Sequence, residues 1–598
     1  MERLTVWAPL VGRVEVDLPE TGQRLAIDAL PDGWWQLASP LPHGTDYAFC
    51  LDGADPVPDP RSPWQPEGVH GASRRFDTSL FEWSDARWPG VDVLGAVLYE
   101  LHVGTFTPTG TLDSAIERLD HLADLGVELV QLMPVTAFPG RYGWGYDGVD
   151  LYAVHEPYGG PEALQRFVDA AHGRGLGVSL DVVYNHLGPS GNYLGRFGPY
   201  FTDRHHTPWG EAVNLDAPDA RPVRDFIIDN ALRWLRDFHL DALRLDAVHA
   251  LVDGSEVHLL AELSTAVEHL SADLGRPLSL IAESDLNDVA MVTPIAEGGL
   301  GMTAQWDDDV HHAIHSFLTG EQQGYYADFC SMDVLHRALS RVFVHDGGYS
   351  TFRGRDWGAS VPDDVSGHRF VVFASNHDQV GNRALGDRPS RVLDTGQLAI
   401  SAALVLTGPF TPMLFMGEEW GACTPWLFFT DHSEPELAKA IREGRRREFA
   451  DHGWEVGSQG RVEVPDPQSV LTARRSILDW TEPQIGEHGR LLEFYRRLIE
   501  LRRSVPDLGS GDRRAMTVQY HADLGWMLIR RGSVRIVLNT SDEDLLVPLP
   551  GADSLRPLAS WAPFHARTDL TFAGVRVPRH GVVLVDDRGK STGYVSGP

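Results

Sequence analysis

Cysteine is scarce in this chain of 598 residues, which holds only Cys50, Cys330 and Cys423. The three lie far apart in the sequence and include no C-x-x-C pair. Their number and spacing exclude a disulfide framework, and no pair of cysteines shows the spacing of a cysteine-ligated metal site.

Long apolar runs and an excess of positive charge are also lacking. No stretch approaches 18 uninterrupted apolar residues, so we predict no membrane-spanning helix. The start, MERLTVWAPL, has no basic region followed by an apolar run, so we expect no secretory signal and a cytoplasmic protein. The formal net charge of −33 disfavours binding to nucleic acid or anionic membranes but is compatible with a neutral substrate.

The residue pattern of the sequence changes twice along the chain. The length of the chain predicts two to four domains. Residues 1–90 are rich in Pro and Gly and contain short alternating runs such as LTVWAPL and RVEVDL, which are typical of a small antiparallel β-sandwich. Short strand patterns return after the helical stretch LLEFYRRLIELRRS. We therefore predict an N-terminal β-sandwich (1–90), a central catalytic domain (91–508) and a C-terminal antiparallel β domain (509–598).

Eight candidate strands, with helical stretches between several of them, occupy the central domain. They are 96–106, 127–135, 177–186, 240–249, 278–284, 301–310, 369–378 and 411–420. Eight such repeats predict an α/β fold with a closed (β/α)₈ TIM barrel. A doubly wound sheet is the competitor, but no Gly-rich phosphate turn follows the first strand.

Each candidate strand begins apolar and ends polar, and in such barrels the active site lies where the strands end. Long excursions follow strands three, six and eight, at 187–218, 310–365 and 421–485. We expect all three to lie over the same rim and to shape a cleft.

One strand, in LDALRLDAVHAL (240–251), places Arg244 and Asp246 on the same face, because residues two apart in a strand project together. An arginine beside a carboxylate holds that carboxylate ionised, which suits a nucleophile. Taken alone, the pair is more often a structural ion pair.

Two further acids lie at the ends of other strands, and together with Asp246 they favour a catalytic role over a structural ion pair. Glu283 follows the apolar run LSLIA, where burial would raise its pKa and favour a proton donor. Asp378 lies in SNHDQVGN beside His377. Two carboxyl groups whose pKa values are pushed apart form the pair that a glycosidase needs, one to attack and one to protonate the leaving oxygen.

Four ordered segments, DVVYNH, LRLDAVH, IAES and SNHD, resemble the signature segments of the α-amylase superfamily. Within it, stretches such as TPWGEAVNLD, AQWDDDVHHAIHSFLTGEQQGYYADF and LFMGEEWG are most similar to the maltooligosyltrehalose trehalohydrolase family. The resemblance covers nearly the whole chain. It implies hydrolysis of the α-1,4 bond next to a terminal trehalose unit, with release of trehalose and a shortened maltooligosaccharide.

The same resemblance implies residue roles: Asp246 as nucleophile, Glu283 as general acid/base and Asp378 as transition-state stabiliser. It further implies that a set of polar and aromatic residues binds substrate. This set comprises Tyr146, His186, Arg244, His249, Asp308, Asp309, His311, His312, His377, Gln379, Asn382 and Glu419. For Glu419 a supporting role behind the site is an equal alternative, and Val310 departs from the phenylalanine that is usual in the family.

Several alternatives stay open at this stage. DDDVHH (307–312) could bind a metal, since Asp and His clusters bind zinc or iron, although the resemblance gives these residues a use without metal. We expect no metal and no cofactor, and no carboxylate-rich loop demands calcium. A branching or debranching enzyme of the same superfamily is the nearest rival, followed by a non-catalytic glucan-binding protein. The resemblance also implies action in sequence with a maltooligosyltrehalose synthase, without a stable complex.

Overall fold

The computed structural model describes residues 3–208, 210–451 and 464–587. Parts of the predicted outer domains and of the excursions 187–218 and 421–485 therefore lie outside the described residues, namely 1–2, 209, 452–463 and 588–598. No helix within the described ranges combines the length and the hydrophobicity needed to cross a membrane.

Residues 3–90 form two small antiparallel sheets, in the orders β1-β5-β4 and β3-β2-β6-β7. The strands are β1 (Thr5–Trp7), β2 (Val14–Leu18), β3 (Gln23–Ala26), β4 (Asp28–Ala29), β5 (Trp34–Gln36), β6 (Asp46–Leu51) and β7 (Ser73–Arg74). The alternating runs of the sequence coincide with β1, β2, β5 and β6, although consecutive residues of β2 and β6 are buried.

The central region contains fourteen strands, eight of which close a parallel barrel in the order β8-β9-β12-β15-β16-β17-β20-β21. The strands are β8 (Leu98–Leu101), β9 (Leu129–Leu132), β10 (Thr136–Ala137), β11 (Asp150–Val154), β12 (Gly177–Val182), β13 (Phe201–Thr207), β14 (Gly210–Val213), β15 (Ala242–Leu245), β16 (Ser279–Ala282), β17 (Ala304–Trp306), β18 (Tyr349–Ser350), β19 (Arg355–Asp356), β20 (Phe370–Phe373) and β21 (Thr411–Phe415). All eight predicted barrel strands are present, and pairing of Met413 with Leu98 closes the circle. The fold-class prediction is confirmed.

Helices occupy the connections between the barrel strands and also follow the last of them, with the final helix in the C-terminal region. They are α1 (Val103–Phe106), α2 (Leu112–Ile116), α3 (Leu119–Leu125), α4 (Gly160–His172), α5 (Leu194–Phe197), α6 (Ala220–Asp237), α7 (Leu259–Leu274), α8 (Asp308–Thr319), α9 (Met332–Arg341), α10 (His377–Gly381), α11 (Thr395–Thr407), α12 (Pro435–Asp451), α13 (Val470–Arg475), α14 (Gly486–Ser504), α15 (Pro506–Gly509) and α16 (Ala566–Asp569). Helix α6 buries Ile227, Ala231 and Leu235, the stripe at three- and four-residue steps that its sequence predicts.

The last described part of the chain forms a five-stranded antiparallel sheet, β22-β23-β24-β28-β26, and a two-stranded sheet, β25-β27. The strands are β22 (Met516–His521), β23 (Trp526–Arg531), β24 (Val534–Asn539), β25 (Leu545–Pro548), β26 (Arg556–Trp561), β27 (Gly574–Val577) and β28 (Gly581–Asp586). This agrees with the predicted β-rich character of the C-terminal region, while the domain boundaries at 90 and 508 stay predictions.

Alternation along the barrel strands places the polar side chains of the site. Leu98, Ala242 and Ile281 belong to one buried cluster that draws its residues from several barrel strands. Since residues two apart in a strand share a face, the next positions on that face are Glu100 and Arg244 at the ends of β8 and β15. Glu283, one residue beyond β16, follows Ile281 in the same way. The interior is thus apolar at one end and charged at the end where the strands finish.

Candidate active site

The three predicted catalytic acids line one cleft at the carboxyl ends of the barrel strands. Asp246 and Glu283 each follow the last residue of a strand, β15 and β16, and Asp378 lies in the short helix α10 after β20. The cleft has a volume of about 1020 Å³, which is room for several sugar rings. The geometry therefore brings together the acids that the sequence predicts.

Arg244 is fully buried and contacts two of these acids at once. Its Nη1 donates to Asp246 Oδ1 at 3.0 Å and to Asp181 Oδ2 at 2.7 Å. Its Nη2 lies 2.8 Å from Glu283 Oε2. The guanidinium also lies over the Trp306 ring, 4.3 Å from its centroid, which fixes the orientation of the fork. One cation thus holds three carboxyl groups in place.

The strand that carries Arg244 is shorter than expected. It ends at Leu245 rather than at residue 249, because Ala247 adopts a left-handed backbone with φ of 39°. This conformation is unfavourable for a residue with a side chain, and such strain is found mainly at functional sites. Here it directs the Ala247 N–H to Glu283 Oε2 at 2.7 Å. The turn therefore fixes the distance between the strand ends that carry Asp246 and Glu283.

Burial raises the pKa of Glu283 well above its usual value, and the nearby carboxylates of Asp246 and Asp378 raise it further, against the opposing effect of Arg244. One oxygen, Oε2, already accepts the Ala247 N–H, so the acidic proton belongs on the other oxygen. A carboxylic acid that stays protonated near neutral pH is the group that general acid catalysis needs.

Asp246 is held by donors on both sides. Besides Arg244, the side-chain amide of Asn185 donates to Asp246 Oδ2 at 2.7 Å and to the Asp246 carbonyl oxygen at 2.8 Å. Hydrogen bonds to both oxygens of a carboxylate fix its rotamer. This arrangement suits a nucleophile that must present one oxygen to an anomeric carbon.

A chain of hydrogen bonds links His377 to the buried carboxylates. Tyr146 Oη donates its single proton to Asp181 Oδ2 at 2.7 Å, so its 2.8 Å contact with His377 Nε2 makes that nitrogen a donor. His377 Nδ1 in turn donates to Glu100 Oε1 at 2.8 Å. Burial alone would lower the pKa of His377, but Glu100 and Asp378 raise it to about 9. His377 is therefore an imidazolium at the floor of the cleft.

Asp378 is the most accessible of the three acids, with 38% of its side chain exposed. Asn382 Nδ2 donates to its Oδ1 at 3.2 Å, and His377 Nε2 lies 3.6 Å from its Oδ2. Asp378 consequently keeps a free face toward the cleft, where hydroxyl groups of a bound sugar can donate to it.

Five of the twelve predicted substrate-binding residues also line the cleft, namely Tyr146, His186, His249, His377 and Asn382. His249 lies with its Nδ1 3.8 Å from Asp285 Oδ1 and keeps 32% of its side chain exposed. This histidine therefore lies in the cleft beside the segment that follows Glu283.

The segment predicted to recognise substrate, 308–312, faces the cleft less than the sequence suggests. Asp309 Oδ2 instead accepts the backbone N–H groups of Val344 and His345 and a proton from Asn287. His311 Nδ1 donates to the carbonyl oxygen of Ala374. Asp309 and His311 are buried near the start of α8. Their hydrogen bonds join this helix to the rim loop at 344–345 and to the barrel at Ala374.

Asp308 and His312, the two ends of this segment, contact residues outside it. Asp308 accepts a proton from Gln379 Nε2 at 3.0 Å, and His312 stacks on Tyr325 with 5.0 Å between ring centroids. Across residues 3–208, 210–451 and 464–587, no group of three ligands that could hold a metal ion includes a residue of 307–312. The geometry thus gives no support to the metal alternative for DDDVHH.

Glu419 lies outside the cleft and is completely buried. It accepts protons from Tyr99 Oη at 3.1 Å and from His121 Nε2 at 2.9 Å. Direct contact between this side chain and a substrate is excluded in this conformation, so the supporting alternative is the one that agrees with the structure.

Sequence reasoning missed Glu100, Asp181 and Asn185 as members of the site. Asp181 and Asn185 stand inside DVVYNH, and burial raises the pKa of Asp181 to about 6 despite the opposing charge of Arg244. Glu100 could have been predicted as a site residue, because it lies two residues after Leu98 and therefore on the same face of β8.

Two of the three excursions form walls of the cleft. Phe201 and Glu211 come from the first, and Leu437, Ile441 and Arg445 come from the third. Within the described residues, no lining residue of this cleft comes from 310–365, which corrects the expectation that all three excursions shape it. That excursion is fastened to Asp285 instead, by Arg353 and Trp357.

Replacing Arg244 by Met should lower the free energy of unfolding by about 3–5 kcal/mol, because three carboxyl groups would remain near each other without their cation. Chemical denaturation followed by circular dichroism would measure the loss. The matched control is Arg166→Met: this exposed arginine also pairs with a carboxylate, Asp113, through two nitrogens. That control should cost no more than about 1 kcal/mol.

Adding Asp181→Asn to Arg244→Met should restore part of the lost stability, since it removes one of the unpaired charges. Equal stability losses for Arg244→Met and Arg166→Met would contradict the role of Arg244 as the shared cation of the site.

Comparison with known proteins agrees with this geometry. Residues 74–200 match the family model "Alpha amylase, catalytic domain". The chain is 52% identical to the malto-oligosyltrehalose trehalohydrolase of Arthrobacter ramosus over 97% of this chain and 98% of that protein. It is 51% identical to that of Mycobacterium tuberculosis over 92% of this chain and 94% of that protein.

Solved structures give the same picture at the level of the fold. A Salmonella typhimurium protein described as a candidate alpha amylase superposes with a TM-score of 0.87 at 38% identity, covering 98% of this chain and 97% of that chain. A pullulanase from Anoxybacillus sp. LM18-11 shares the fold with a TM-score of 0.69 at 17% identity, covering 98% of this chain and 86% of that chain. The chain belongs to the malto-oligosyltrehalose trehalohydrolase family of the α-amylase superfamily.

Proposed function

We propose that this protein is a retaining glycoside hydrolase that cleaves the α-1,4-glucosidic bond next to the terminal trehalose of maltooligosyltrehalose and releases trehalose. The observation that carries the proposal is the convergence of Asp246, Glu283 and Asp378 on one cleft, with Arg244 between the first two. Relatives at about half identity over nearly the whole chain bear the name of this activity.

In the first step, a carboxylate oxygen of Asp246 attacks the anomeric carbon of the glucose that precedes trehalose. The bond from that carbon to the glycosidic oxygen breaks while Glu283 gives its proton to the oxygen. Trehalose leaves with a new hydroxyl group, and a glucosyl ester on Asp246 remains.

In the second step, the ionised Glu283 takes a proton from water, and the water oxygen attacks the same anomeric carbon. The ester bond to Asp246 breaks, the carboxylate of Asp246 is restored, and Glu283 is protonated again. Two displacements at one carbon retain the α configuration of the new reducing end.

The remaining residues of the cleft floor position the reacting sugar in this proposal. The Tyr146 ring, which stacks on His377 with 5.1 Å between centroids, offers an apolar face to the sugar. Asp378 accepts hydroxyl protons of the distorted ring, and the imidazolium of His377 donates to Tyr146 Oη and Glu100 and so holds the Tyr146 ring in place beneath the sugar. His186 donates to the Tyr146 carbonyl oxygen at 2.9 Å and so supports the turn that carries this ring.

Trehalose selectivity is assigned to the leaving-group side. A 1,1-linked disaccharide presents its hydroxyl groups differently from maltose, and a site built to bind those hydroxyls leaves polar groups unpaired when another sugar binds. The candidates are His249 and the hydrogen-bonded pair of Gln379 and Asp308. Asp309, His311 and His312 act through the packing of the rim.

Two rival functions are weaker. A glucan branching enzyme of Corynebacterium jeikeium is a relative at 28% identity over 71% of this chain, well below the trehalohydrolases. A branching enzyme would shift the iodine colour of amylose without raising the number of reducing ends. A non-catalytic glucan-binding protein would not require three acids and a buried arginine to be arranged at one cleft.

The substrate is a neutral oligosaccharide, which suits the net charge of −33. Action after a maltooligosyltrehalose synthase, without a stable complex, and a cytoplasmic location stay predictions. The proposed steps use only side chains of this chain and water.

Maltopentaosyltrehalose should be hydrolysed at least about a hundredfold faster, in kcat/KM, than a maltooligosaccharide with the same number of glucose units, because mismatched hydroxyls would leave buried polar groups unpaired. Chromatography of the products, with identification of the released disaccharide, gives the measurement. Equal rates would contradict the selectivity, and a product other than trehalose would contradict the function.

A further inference from the structure

We propose that Cys423, Glu482 and His488 form a binding site for a divalent zinc-like cation, outside the cleft and independent of the proposed hydrolase activity. The Cys423 Sγ, one Glu482 carboxylate oxygen and one His488 ring nitrogen all lie within 4.8 Å of one another. Across residues 3–208, 210–451 and 464–587 this is the one group of three ligand side chains so arranged. None of the three lines the cleft.

The spacing of these atoms fits a small ion. Zinc binds sulfur at about 2.3 Å and nitrogen or oxygen at about 2.0–2.2 Å, so two ligands of one ion lie at most about 4.5 Å apart. Side-chain rotations that move each ligand atom by roughly an ångström would therefore close the site.

The tautomer of His488 suits a metal ligand. Its Nδ1 lies 2.7 Å from the carbonyl oxygen of Trp420, which can only accept, so Nδ1 carries the proton. Nε2 consequently keeps its lone pair free for a cation. Fixing a histidine tautomer through a backbone carbonyl is the usual way in which proteins prepare this residue to bind metal.

Glu482 is oriented by two donors. Trp420 Nε1 donates to its Oε2 at 3.1 Å, and the backbone N–H of Cys423 lies 3.3 Å from each carboxylate oxygen. Cys423 itself is an exposed free thiol. The thiol would release its proton to solvent when the ion binds.

The combination of ligands selects the class of cation. Thiolate, imidazole and carboxylate together suit zinc and its chemical relatives, whereas magnesium and calcium require oxygen ligands. Since the site is open on the side of the exposed cysteine, water would complete the tetrahedron.

The position of the site gives the ion a structural consequence. Cys423 and Glu482 lie near the two ends of the excursion 421–485, and His488 lies in α14, which packs against the barrel. The middle of that excursion supplies Leu437, Ile441 and Arg445 to the cleft wall. A bound ion would therefore tie both ends of this wall segment to the barrel and raise the melting temperature of the protein.

The test is a titration of the metal-free full-length protein with zinc chloride in competition with a chromophoric chelator. We expect one equivalent to bind, and cobalt in its place to give a thiolate-to-metal charge-transfer band. Cys423→Ser and His488→Gln should each weaken binding by more than about tenfold. Cys330→Ser and His269→Gln, the matched controls, should leave binding unchanged.

A second measurement needs no variant. In the wild-type protein, zinc should slow alkylation of Cys423 by iodoacetamide while the alkylation of Cys330 keeps its rate, as followed by mass spectrometry of the peptides. Zinc affinity that is equal in Cys423→Ser and wild type, or alkylation of Cys423 that zinc leaves unchanged, would overturn the proposed site.

Discussion

Replacement of Asp246 by Asn is expected to lower kcat on maltopentaosyltrehalose by at least about 10⁴-fold, because an amide oxygen cannot form the glucosyl ester. The fold should survive, since Asn has the shape of Asp and its side-chain oxygen can still accept from Arg244 Nη1, while Asn185 Nδ2 keeps its bond to the backbone carbonyl oxygen of residue 246. Circular dichroism and the melting temperature would verify this, and steady-state kinetics would give the loss of turnover.

The matched control is Asp120→Asn, which removes a carboxylate from an exposed ion pair with Arg174. Its kcat should stay within twofold of wild type. An Asp246→Asn variant that retains more than a tenth of the wild-type rate would refute the nucleophile assignment. A folded Asp246→Asn variant should still bind substrate, which separates loss of chemistry from loss of affinity.

Stereochemistry of the product tests the same step without any substitution. Proton nuclear magnetic resonance of the wild-type reaction should show the α anomer of the new reducing end first, and the β anomer only later through mutarotation. Initial release of the β anomer would exclude the covalent intermediate on Asp246 and require a water molecule to attack directly.

The barrel could be predicted from sequence because its strands carry a two-part pattern. Their buried residues are mostly apolar, as in LSLIA before Glu283, and polar residues follow where each strand ends. The alternation of side chains along each strand then decides which polar residues converge. Arg244 lies on the same strand face as Ala242, and Glu283 lies on the same strand face as Ile281. These local rules require no knowledge of the loops.

The features that could not be predicted from the sequence depend on contacts between residues that are distant from each other in the chain. The left-handed turn at Ala247 has no glycine to mark it, and its partner is Glu283, 36 residues away. The inward direction of Asp309 depends on backbone N–H groups at 344 and 345, which only the folded excursion supplies. Burial of Glu419 depends on Tyr99 in the first barrel strand.

Conversion of Glu283 to Gln is expected to lower kcat/KM on the natural substrate by about 10²–10⁴-fold, the usual contribution of a general acid. The trehalose hydroxyl is a poor leaving group that needs a proton as the bond breaks. An aryl maltooligosaccharide whose phenol leaves without protonation should bypass this need. Glu283→Gln should therefore form the glucosyl-enzyme from the aryl substrate at nearly the wild-type rate, whereas Asp246→Asn should not.

The pH profile gives the second signature of this acid. Burial, Asp246 and Asp378 raise the pKa of Glu283, so the protonated form required for the first step persists toward higher pH and is lost as pH rises through that value. The wild-type kcat/KM should fall on this alkaline limb, and glycosylation of Glu283→Gln by the aryl substrate should lack it. Glu297→Gln, an exposed control, should keep the wild-type profile. An unchanged alkaline limb in Glu283→Gln would assign the proton donor to another residue, since the carboxyl group that titrates in the wild type would then be absent.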